Sequence, residues 1–316
     1  MAAVHHNEQK RTGVATAGAL LRAYAKLAKI RLTLLVVATT AVGFLMAGGL
    51  RGDPPTLVWT LFGTALAAAG SMALNQVLEA DRDARMERTR RRPVPTGDVG
   101  RAAAAIAGAV AAALGLAVLT VRATAVTALL GLTVVLLYTL VYTPLKPRTP
   151  LCTLVGAVCG AIPPMMGWSA TGAPLSFGAW FLAGVLFLWQ IPHFLALAWL
   201  YREDYERGGF RMLPVVDPSG RVTAEMAVLY ALALLPVGVM AAMAGLTGWL
   251  FAACSLALGA ALVTLALQLL ATRSEPVARR LFLATLAYLP LLLGLMVADR
   301  TPLDSARLAV SLLATR

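Results

Sequence analysis

The sequence predicts an all-α protein, a polytopic membrane bundle of about nine transmembrane helices. Of the 316 residues, 59% are hydrophobic and only 13% are charged, and apolar runs of about 18 residues or more recur along the chain. A helix of about 20 apolar residues crosses the ~30 Å hydrocarbon core of a bilayer. Because hydrocarbon offers no partners to backbone polar groups, runs of this length must be helices rather than barrel strands.

The apolar runs define nine predicted spans, whose ends are soft by a few residues. In chain order they are 32–50, 56–79, 102–121, 123–143, 151–170, 176–200, 224–245, 248–271 and 280–298. We therefore predict a cytoplasmic N-terminal tail at 1–30, which is mobile up to about Gly18. It is followed by a nine-helix membrane domain at 31–300 and a short extracytoplasmic tail at 301–316.

The distribution of Lys and Arg predicts the orientation of these spans. With the N-terminus inside, 22 of the 27 Lys and Arg residues fall in the tail or in loops on the same side, as the positive-inside rule requires. Topology and contact with anionic membrane lipids then explain the net charge of +12, and nucleic acid is not an expected partner. We predict a multi-pass protein of the cell membrane, with the loops after the second, fourth and sixth spans in the cytoplasm.

Three polar side chains are spaced four residues apart at the end of the second span: Asn75, Glu79 and Asp83. On an α-helix this spacing places them on one face, over roughly 12 Å of the helix axis. Neighbouring carboxylates repel each other, and the repulsion is stronger near the bilayer than in water. We therefore expect positive charge between them.

The residues alone leave two sources for that positive charge. The arginines that follow, among them Arg85 and Arg88, could neutralise the acids in a solvated loop. Alternatively, the acids bind a divalent cation such as Mg²⁺, which takes a few carboxylate oxygens together with phosphate oxygens. Arginines up to Arg92 would then bind a diphosphate, because guanidinium groups pair well with phosphate oxygens.

The sixth span and the segment after it contain a second group of candidates. His193 lies at membrane depth beside Pro192 and is either a hydrogen-bonded core residue or a functional one, such as a general base. Asp204 follows the end of this span, as the acids do at the end of the second span, and is a candidate second metal ligand. The charges of Arg202 and Arg207 leave its partner open.

Two proline-containing motifs complete the candidates. In YTPLKPRTP, 142–150, Lys146 and Arg148 either reflect the positive-inside rule or reach an anionic head group. GAIPPMMGW, 160–168, has no ionisable group, and its glycines and tandem prolines predict a broken or kinked fifth helix that shapes a cavity.

The pattern Asn75-x-x-x-Glu79-x-x-x-Asp83 resembles the first acidic motif of the UbiA superfamily of intramembrane prenyltransferases, where Asp is commoner at the middle position. Longer stretches resemble one branch of it, the protohaem IX farnesyltransferases. They occur in order between about Lys29 and Pro214: the run from Asn75 to Gly97, YTPLKPRT, GAIPPMMGW, WQIPHF and EDYERGGFRMLP.

This resemblance implies a central cavity and an activity. Farnesyl diphosphate would be bound through Mg²⁺ by Asn75, Glu79, Asp83 and Asp204, and cationic side chains would neutralise the diphosphate: Arg85, Arg88, Arg92, Lys146 and Arg148. The farnesyl group would be transferred to a vinyl group of haem B, with addition of water, to give haem O. His193 would orient haem or handle a proton. Haem A synthase or oxidase assembly factors are the protein partners that it implies.

The sequence departs from the family pattern at one motif, and two other functions are alternatives to haem farnesylation. The second acidic motif is usually D-x-x-x-D, but the positions four residues on either side of Asp204 are Leu200 and Gly208. A prenyltransferase acting on an aromatic quinone precursor would share the diphosphate chemistry. A transporter would place charge at mid-membrane, whereas here the acids cluster at the ends of helices.

Overall fold

The computed structural model describes residues 17–48 and 53–301. The predicted mobility of the N-terminus and the predicted extracytoplasmic tail concern residues that lie almost entirely outside this part. The helices in chain order are α1 (Ala17–Leu27), α2 (Ile30–Gly48), α3 (Pro54–Asp83), α4 (Arg101–Arg122), α5 (Ala125–Leu136), a π-helical segment (Leu137–Tyr142), α6 (Thr143–Leu145), α7 (Cys152–Ala170), α8 (Phe177–Leu200), α9 (Arg202–Arg207), α10 (Leu213–Val216), α11 (Arg221–Ala233), α12 (Val237–Met243), α13 (Trp249–Thr272) and α14 (Glu275–Ala298).

The predicted all-α membrane bundle is confirmed. Within the described ranges, nine helical stretches are long and apolar enough to cross a membrane, and each overlaps one predicted span. The fourth stretch, Ala125–Leu145, contains α5, the π-helical segment and α6. The seventh, Arg221–Met243, is divided between α11 and α12 just before Pro236, a residue that has no N–H to continue a helical ladder.

Close helix packing depends on glycine at two interfaces. In the α3–α4 pair, a Cβ atom on Gly70 would lie 2.5 Å from the backbone nitrogen of Ala112. In the α2–α7 pair, a Cβ on Gly43 would overlap the carbonyl oxygen of Pro164. Small residues of this kind let helix backbones approach closely in a membrane. The expected break in the fifth span is not seen, because α7 continues through Pro163 and Pro164.

The polar loops meet at one end of the bundle, which we call the basic end. Helix α1 packs there against α3, with Leu27 buried and its carbonyl oxygen accepting a hydrogen bond from Gln76 Nε2 at 2.8 Å. Arg202, at the start of α9, contacts Glu275 at the start of α14 at 3.0 Å. The loop at 84–100 and the segment after α6 lie at the same end, so the predicted polar residues are brought together there.

Candidate active site

The end of α3 presents its three predicted residues on one buried face, as their spacing predicts. Asn75, Glu79 and Asp83 are 0%, 4% and 1% exposed. Both polar atoms of the Asn75 amide have a partner, since Nδ2 donates to Thr143 Oγ1 at 3.0 Å and Oδ1 accepts from Lys29 Nζ at 2.9 Å. Asn75 therefore joins α3 to α6 and to the turn before α2.

Glu79 forms a buried ion pair with Lys146, the first residue after α6. Glu79 Oε1 lies 2.8 Å from Lys146 Nζ, and the two side chains are 5% and 13% exposed. The ammonium group also lies 4.5 Å from the centre of the Tyr142 ring. Burial alone would lower the pKa of Lys146, but the neighbouring Glu79 carboxylate outweighs it and raises that pKa. Lys146 is therefore a fixed positive charge at this site.

Asp83 pairs with an arginine from the loop that follows α3. Asp83 Oδ2 accepts a hydrogen bond from Arg92 Nη1 at 2.6 Å, and the aspartate side chain is 2% exposed. The loop folds back onto the helix end because Thr89 Oγ1 donates to the Asp83 carbonyl oxygen at 2.9 Å. The contact of Asp83 with Arg92, nine residues later, thus depends on the shape of the 84–92 segment.

These side chains border a cavity of about 210 Å³ at the basic end. Two carboxylates, Glu79 and Asp83, face four cationic side chains across it, so its lining has an excess of positive charge that suits a polyanion. Aromatic rings form much of the remaining wall. The full lining is Lys29, Leu32, Glu79, Asp83, Met86, Arg88, Thr89, Arg92, Tyr138, Tyr142, Lys146, Tyr205 and Phe210.

Lys29 belongs to this site, although in the sequence the group Lys29–Ile30–Arg31 is only a weak candidate. Its backbone has φ of 44°, in the left-handed region that a residue with a side chain seldom adopts and that often accompanies function. Burial, followed by the charges of Arg92 and Lys146, lowers the pKa of Lys29 to about 7. A cation before a first span is ordinary in membrane proteins, and the unusual backbone conformation has no sequence signal.

Asp204 lies outside the cavity lining and has different partners. Its two carboxylate oxygens accept from the backbone N–H groups of Glu87 and Arg88, both at 3.0 Å, and Oδ1 also pairs with Arg207. Burial would raise the pKa of Asp204, but these donors together hold it below its usual value. Asp204 borders instead an adjoining groove of about 460 Å³, which shares Arg88 with the cavity.

Arg88 forms the boundary between the groove and the cavity. Its guanidinium lies 4.9 Å from the centre of the Tyr201 ring, and Nη2 donates to the Tyr205 hydroxyl at 3.2 Å. By contrast, Arg85 and Arg148, which were also predicted to bind the diphosphate, are exposed and do not line the cavity. Arg85 follows Asp83 by two positions, a step that turns a side chain away from a shared helical face.

His193 is placed in the helical core rather than at the cavity. Its Nδ1 lies 2.9 Å from Thr285 Oγ1 of α14, and its ring stacks between Trp189 and Phe282 with centroid distances of 5.1 and 5.0 Å. Trp189 Nε1 donates to the Thr285 carbonyl oxygen at 2.8 Å. These contacts join α8 to α14. They agree with the first of the two roles predicted for His193, a hydrogen-bonded core residue.

The fit of the site to a metal ion can be judged from its donors. In residues 17–48 and 53–301, no three His, Cys, Asp or Glu side chains are grouped as a metal site. The four predicted ligands are divided, because Asp204 faces the 84–92 segment and Asn75 lies behind the cavity. Two carboxylates beside a cationic cavity nevertheless suit Mg²⁺, which is often held by one or two carboxylates together with substrate phosphates.

A bundle of membrane-length helices with a cationic, aromatic-walled cavity at one end suits the binding of an anionic amphiphile. The sequence matches the UbiA prenyltransferase family over residues 36–289. The chain therefore belongs to the UbiA prenyltransferase family and is a membrane prenyltransferase.

Within that family, the chain is similar to proteins named protoheme IX farnesyltransferase. The chain is 39% identical to a protein named protoheme IX farnesyltransferase from Koribacter versatilis, covering 92% of this chain and 96% of the relative. It is 41% identical to the mitochondrial protoheme IX farnesyltransferase of Homo sapiens, covering 88% of this chain and 62% of the relative. The fold is similar to that of a UbiA homologue from Archaeoglobus fulgidus bound to GPP and Mg²⁺, with a TM-score of 0.63 and 16% identity over 87% of this chain and 99% of that one.

Proposed function

We propose that the protein transfers the farnesyl group of farnesyl diphosphate to a vinyl group of haem B, with addition of water, to give haem O and diphosphate. The observation that carries the proposal is the cavity at the end of α3, where two carboxylates face four cations beneath a wall of aromatic rings. The relatives named protoheme IX farnesyltransferase support haem as the acceptor and farnesyl as the transferred group.

The charged residues of the cavity have separate roles in this reaction. Glu79 and Asp83 would hold Mg²⁺, which supplies neutralising charge to the diphosphate when bound, and Asn75 supports the site by accepting a hydrogen bond from Lys29. Lys29, Arg88, Arg92 and Lys146 bind the diphosphate oxygens directly and stabilise the negative charge that grows as the carbon–oxygen bond breaks. The ion pairs of Arg92 with Asp83 and of Lys146 with Glu79 keep these two cations in place before substrate arrives.

The aromatic wall has a role in protecting the reactive carbon. Departure of diphosphate leaves an allylic cation, which water would quench if it reached the site early. Tyr138, Tyr142 and Phe210 line the cavity, where they exclude water and present the faces of their rings to positive charge. In the π-helical segment the ring centres of Tyr138 and Tyr142 lie 5.1 Å apart. Such segments are frequent at functional sites.

The orientation and the partners are part of the same proposal. The excess of Lys and Arg at the basic end supports a cytoplasmic location for the cavity in a cell membrane. Both substrates are amphiphiles and enter from the surrounding lipid. The product haem O would be used for haem A formation and terminal oxidase assembly, so haem A synthase or oxidase assembly factors are the protein partners that we propose.

The test is a reaction with purified protein, haem B, farnesyl diphosphate and Mg²⁺, analysed by mass spectrometry. We expect haem B to gain the mass of a farnesyl group plus a hydroxyl group, and the gain to require Mg²⁺. Unchanged haem, together with prenylation of a phenolic quinone precursor in a parallel reaction, would contradict the proposal and assign the protein to a different acceptor.

A further inference from the structure

We propose that Asp204 is a positioning residue that clasps the 84–92 segment, and with it Arg88, against α9, and that it is not a ligand of the metal. This inference rests on the proposed diphosphate chemistry only for its consequence, the placement of Arg88. The clasp itself is a structural feature that can be measured without catalysis.

The hydrogen bonds of Asp204 leave its carboxylate little capacity for a metal. One oxygen accepts from the N–H of Arg88, and the other accepts from the N–H of Glu87 and from Arg207. The side chain is only 7% exposed. Two successive backbone N–H groups converging on one carboxylate are held in the manner of a helix N-cap, and a metal could replace them only if the segment moved.

A second set of contacts runs in the opposite direction, from the end of α3 just before this segment to the turn just after α9. Arg82, at the end of α3, donates from Nη1 to the carbonyl oxygens of Gly208 and Gly209 at 3.1 and 2.9 Å. Met86 packs in the same buried cluster as Phe210. Each region thus supplies a charged side chain to the backbone of the other, which fixes their relative position more firmly than either contact alone.

The clasp determines where Arg88 can reach. Its backbone N–H is held by Asp204, while its side chain lies over Tyr201 and donates to Tyr205 at the edge of the cavity. Loss of the Asp204 carboxylate would free the backbone and let the guanidinium leave the position in which it faces the diphosphate. We therefore expect substrate binding to weaken through Arg88, with the metal requirement unchanged.

The sequence around Asp204 agrees with this role. A metal ligand pair on one helical face would need a second acid four residues away, and those positions are Leu200 and Gly208. Gly208 is instead in contact range of Met86, where a Cβ atom would lie 2.9 Å from the methionine side chain. The position that would carry a second acid is therefore used for close packing between the two regions.

Trypsin provides a direct measurement, because the 84–92 segment contains five arginines. We would reconstitute the full chain in nanodiscs and compare the rate of cleavage in this segment for the wild type and Asp204→Asn. We expect cleavage to be about tenfold faster in the variant, since local opening becomes easier. Arg207→Gln, which removes an exposed partner and keeps both backbone hydrogen bonds, is the matched control and should be cleaved at nearly the wild-type rate.

Mn²⁺ binding in the presence of farnesyl thiolodiphosphate distinguishes a positioning role of Asp204 from a role as metal ligand. We would measure this binding by electron paramagnetic resonance. Asp204→Asn should keep Mn²⁺ affinity within about twofold, whereas Asp83→Asn should lose it. In turnover, Asp204→Asn should raise the KM for farnesyl diphosphate while the Mg²⁺ concentration for half-maximal rate stays the same. A tenfold loss of Mn²⁺ affinity in Asp204→Asn, or an unchanged cleavage rate, would overturn the proposal.

Arg82→Met covers the case in which Asp204→Asn fails to fold. It breaks the other half of the clasp without touching any carboxylate, so faster cleavage with unchanged Mn²⁺ affinity is again expected, and wild-type cleavage would overturn the clasp. The cleavage measurement needs no substrate, so a protein that did not farnesylate haem could still confirm the clasp. Conversely, cleavage results that contradict the clasp would not affect the test of the haem reaction, which is the formation of haem O.

Discussion

Asp83, at the end of α3, and Asp204, just after the end of α8, occupy similar places at the ends of long helices. Their carboxylates have different partners. Asp83 is the last residue of a long helix and Asp204 lies four residues beyond the end of another, and each is buried and contacts an arginine. The Asp83 carboxylate pairs with a side chain in a cavity, whereas Asp204 is bound mainly by backbone N–H groups. A side-chain partner can move to a ligand, but a backbone partner is released only by unfolding its loop.

Asp83→Asn gives the largest expected effect and the strictest test of that difference. The amide keeps an acceptor for Arg92, so the fold should persist, but the charge that would hold Mg²⁺ is lost. We expect haem O formation to fall by about 10³-fold, measured by mass spectrometry on protein that remains monodisperse on size-exclusion chromatography. Full Mg²⁺-dependent activity in this variant would remove Asp83 from the metal site and make it equivalent to Asp204.

Lys146→Met should have the next largest effect, on both activity and stability. It removes a cation from the cavity and leaves the Glu79 carboxylate buried without its partner. Leaving one member of a buried pair uncompensated typically costs about 3 kcal/mol or more, so we expect a lower unfolding midpoint together with roughly 10²-fold less activity. The double variant Lys146→Met/Glu79→Gln should regain the stability but not the activity.

Arg148→Met is the control for this pair, since Arg148 follows Lys146 by two residues but is exposed and outside the cavity lining. It should change activity and the unfolding midpoint very little. An activity loss equal to that of Lys146→Met would support the sequence prediction for Arg148 and contradict the cavity assignment.

Arg92→Gln compares a cavity arginine with an exposed one from the same loop. It should raise the KM for farnesyl diphosphate by about tenfold, because one charge-assisted contact worth about 1.4 kcal/mol is lost. Arg85→Gln should leave KM within about twofold. Steady-state kinetics at saturating haem would measure both values, and a larger effect of Arg85→Gln would show that the loop adopts another conformation when substrate binds.

The membrane fold could be predicted because its main signals are local. Runs of apolar residues fix the nine spans, and the four-residue spacing from Asn75 to Asp83 fixes a shared helical face, whatever the tertiary structure. Of the predicted broken or kinked fifth helix, the broken alternative is wrong, because α7 continues through Pro163 and Pro164 while Gly43 of α2 lies against the Pro164 carbonyl. A proline's effect depends on neighbours that the local sequence does not name.

The partners of the site residues were less predictable, because loop conformation decides them. Arg85, Arg88 and Arg92 have the same chemistry, yet only Arg88 and Arg92 reach the cavity. That selection results from tertiary contacts such as Thr89 with the Asp83 carbonyl. For His193 the sequence left a core role and a functional role open, and its stacking between Trp189 and Phe282 favours the core role.

Lys29 offers a smaller test of how the cationic cavity affects stability. Its pKa is lowered by burial and by nearby cations to about 7, whereas an unfolded lysine titrates near 10.4. Between these values the unfolded chain binds more protons than the folded one, so stability should rise with pH from about 7 to about 10. Below pH 7 the full cost of the charged side chain remains, and above about pH 10 it is gone.

Lys29→Met should remove this dependence. We expect the Tm of the wild type to rise by roughly 5 °C more between pH 7 and pH 9 than that of the variant, as measured by differential scanning fluorimetry in detergent. Lys26→Met, at an exposed position of the same region, should follow the wild type. Identical pH slopes for the wild type and Lys29→Met would mean that Lys29 is not held among the cavity cations. The excess positive charge that distinguishes this cavity from the Asp204 groove would then be smaller than the structure indicates.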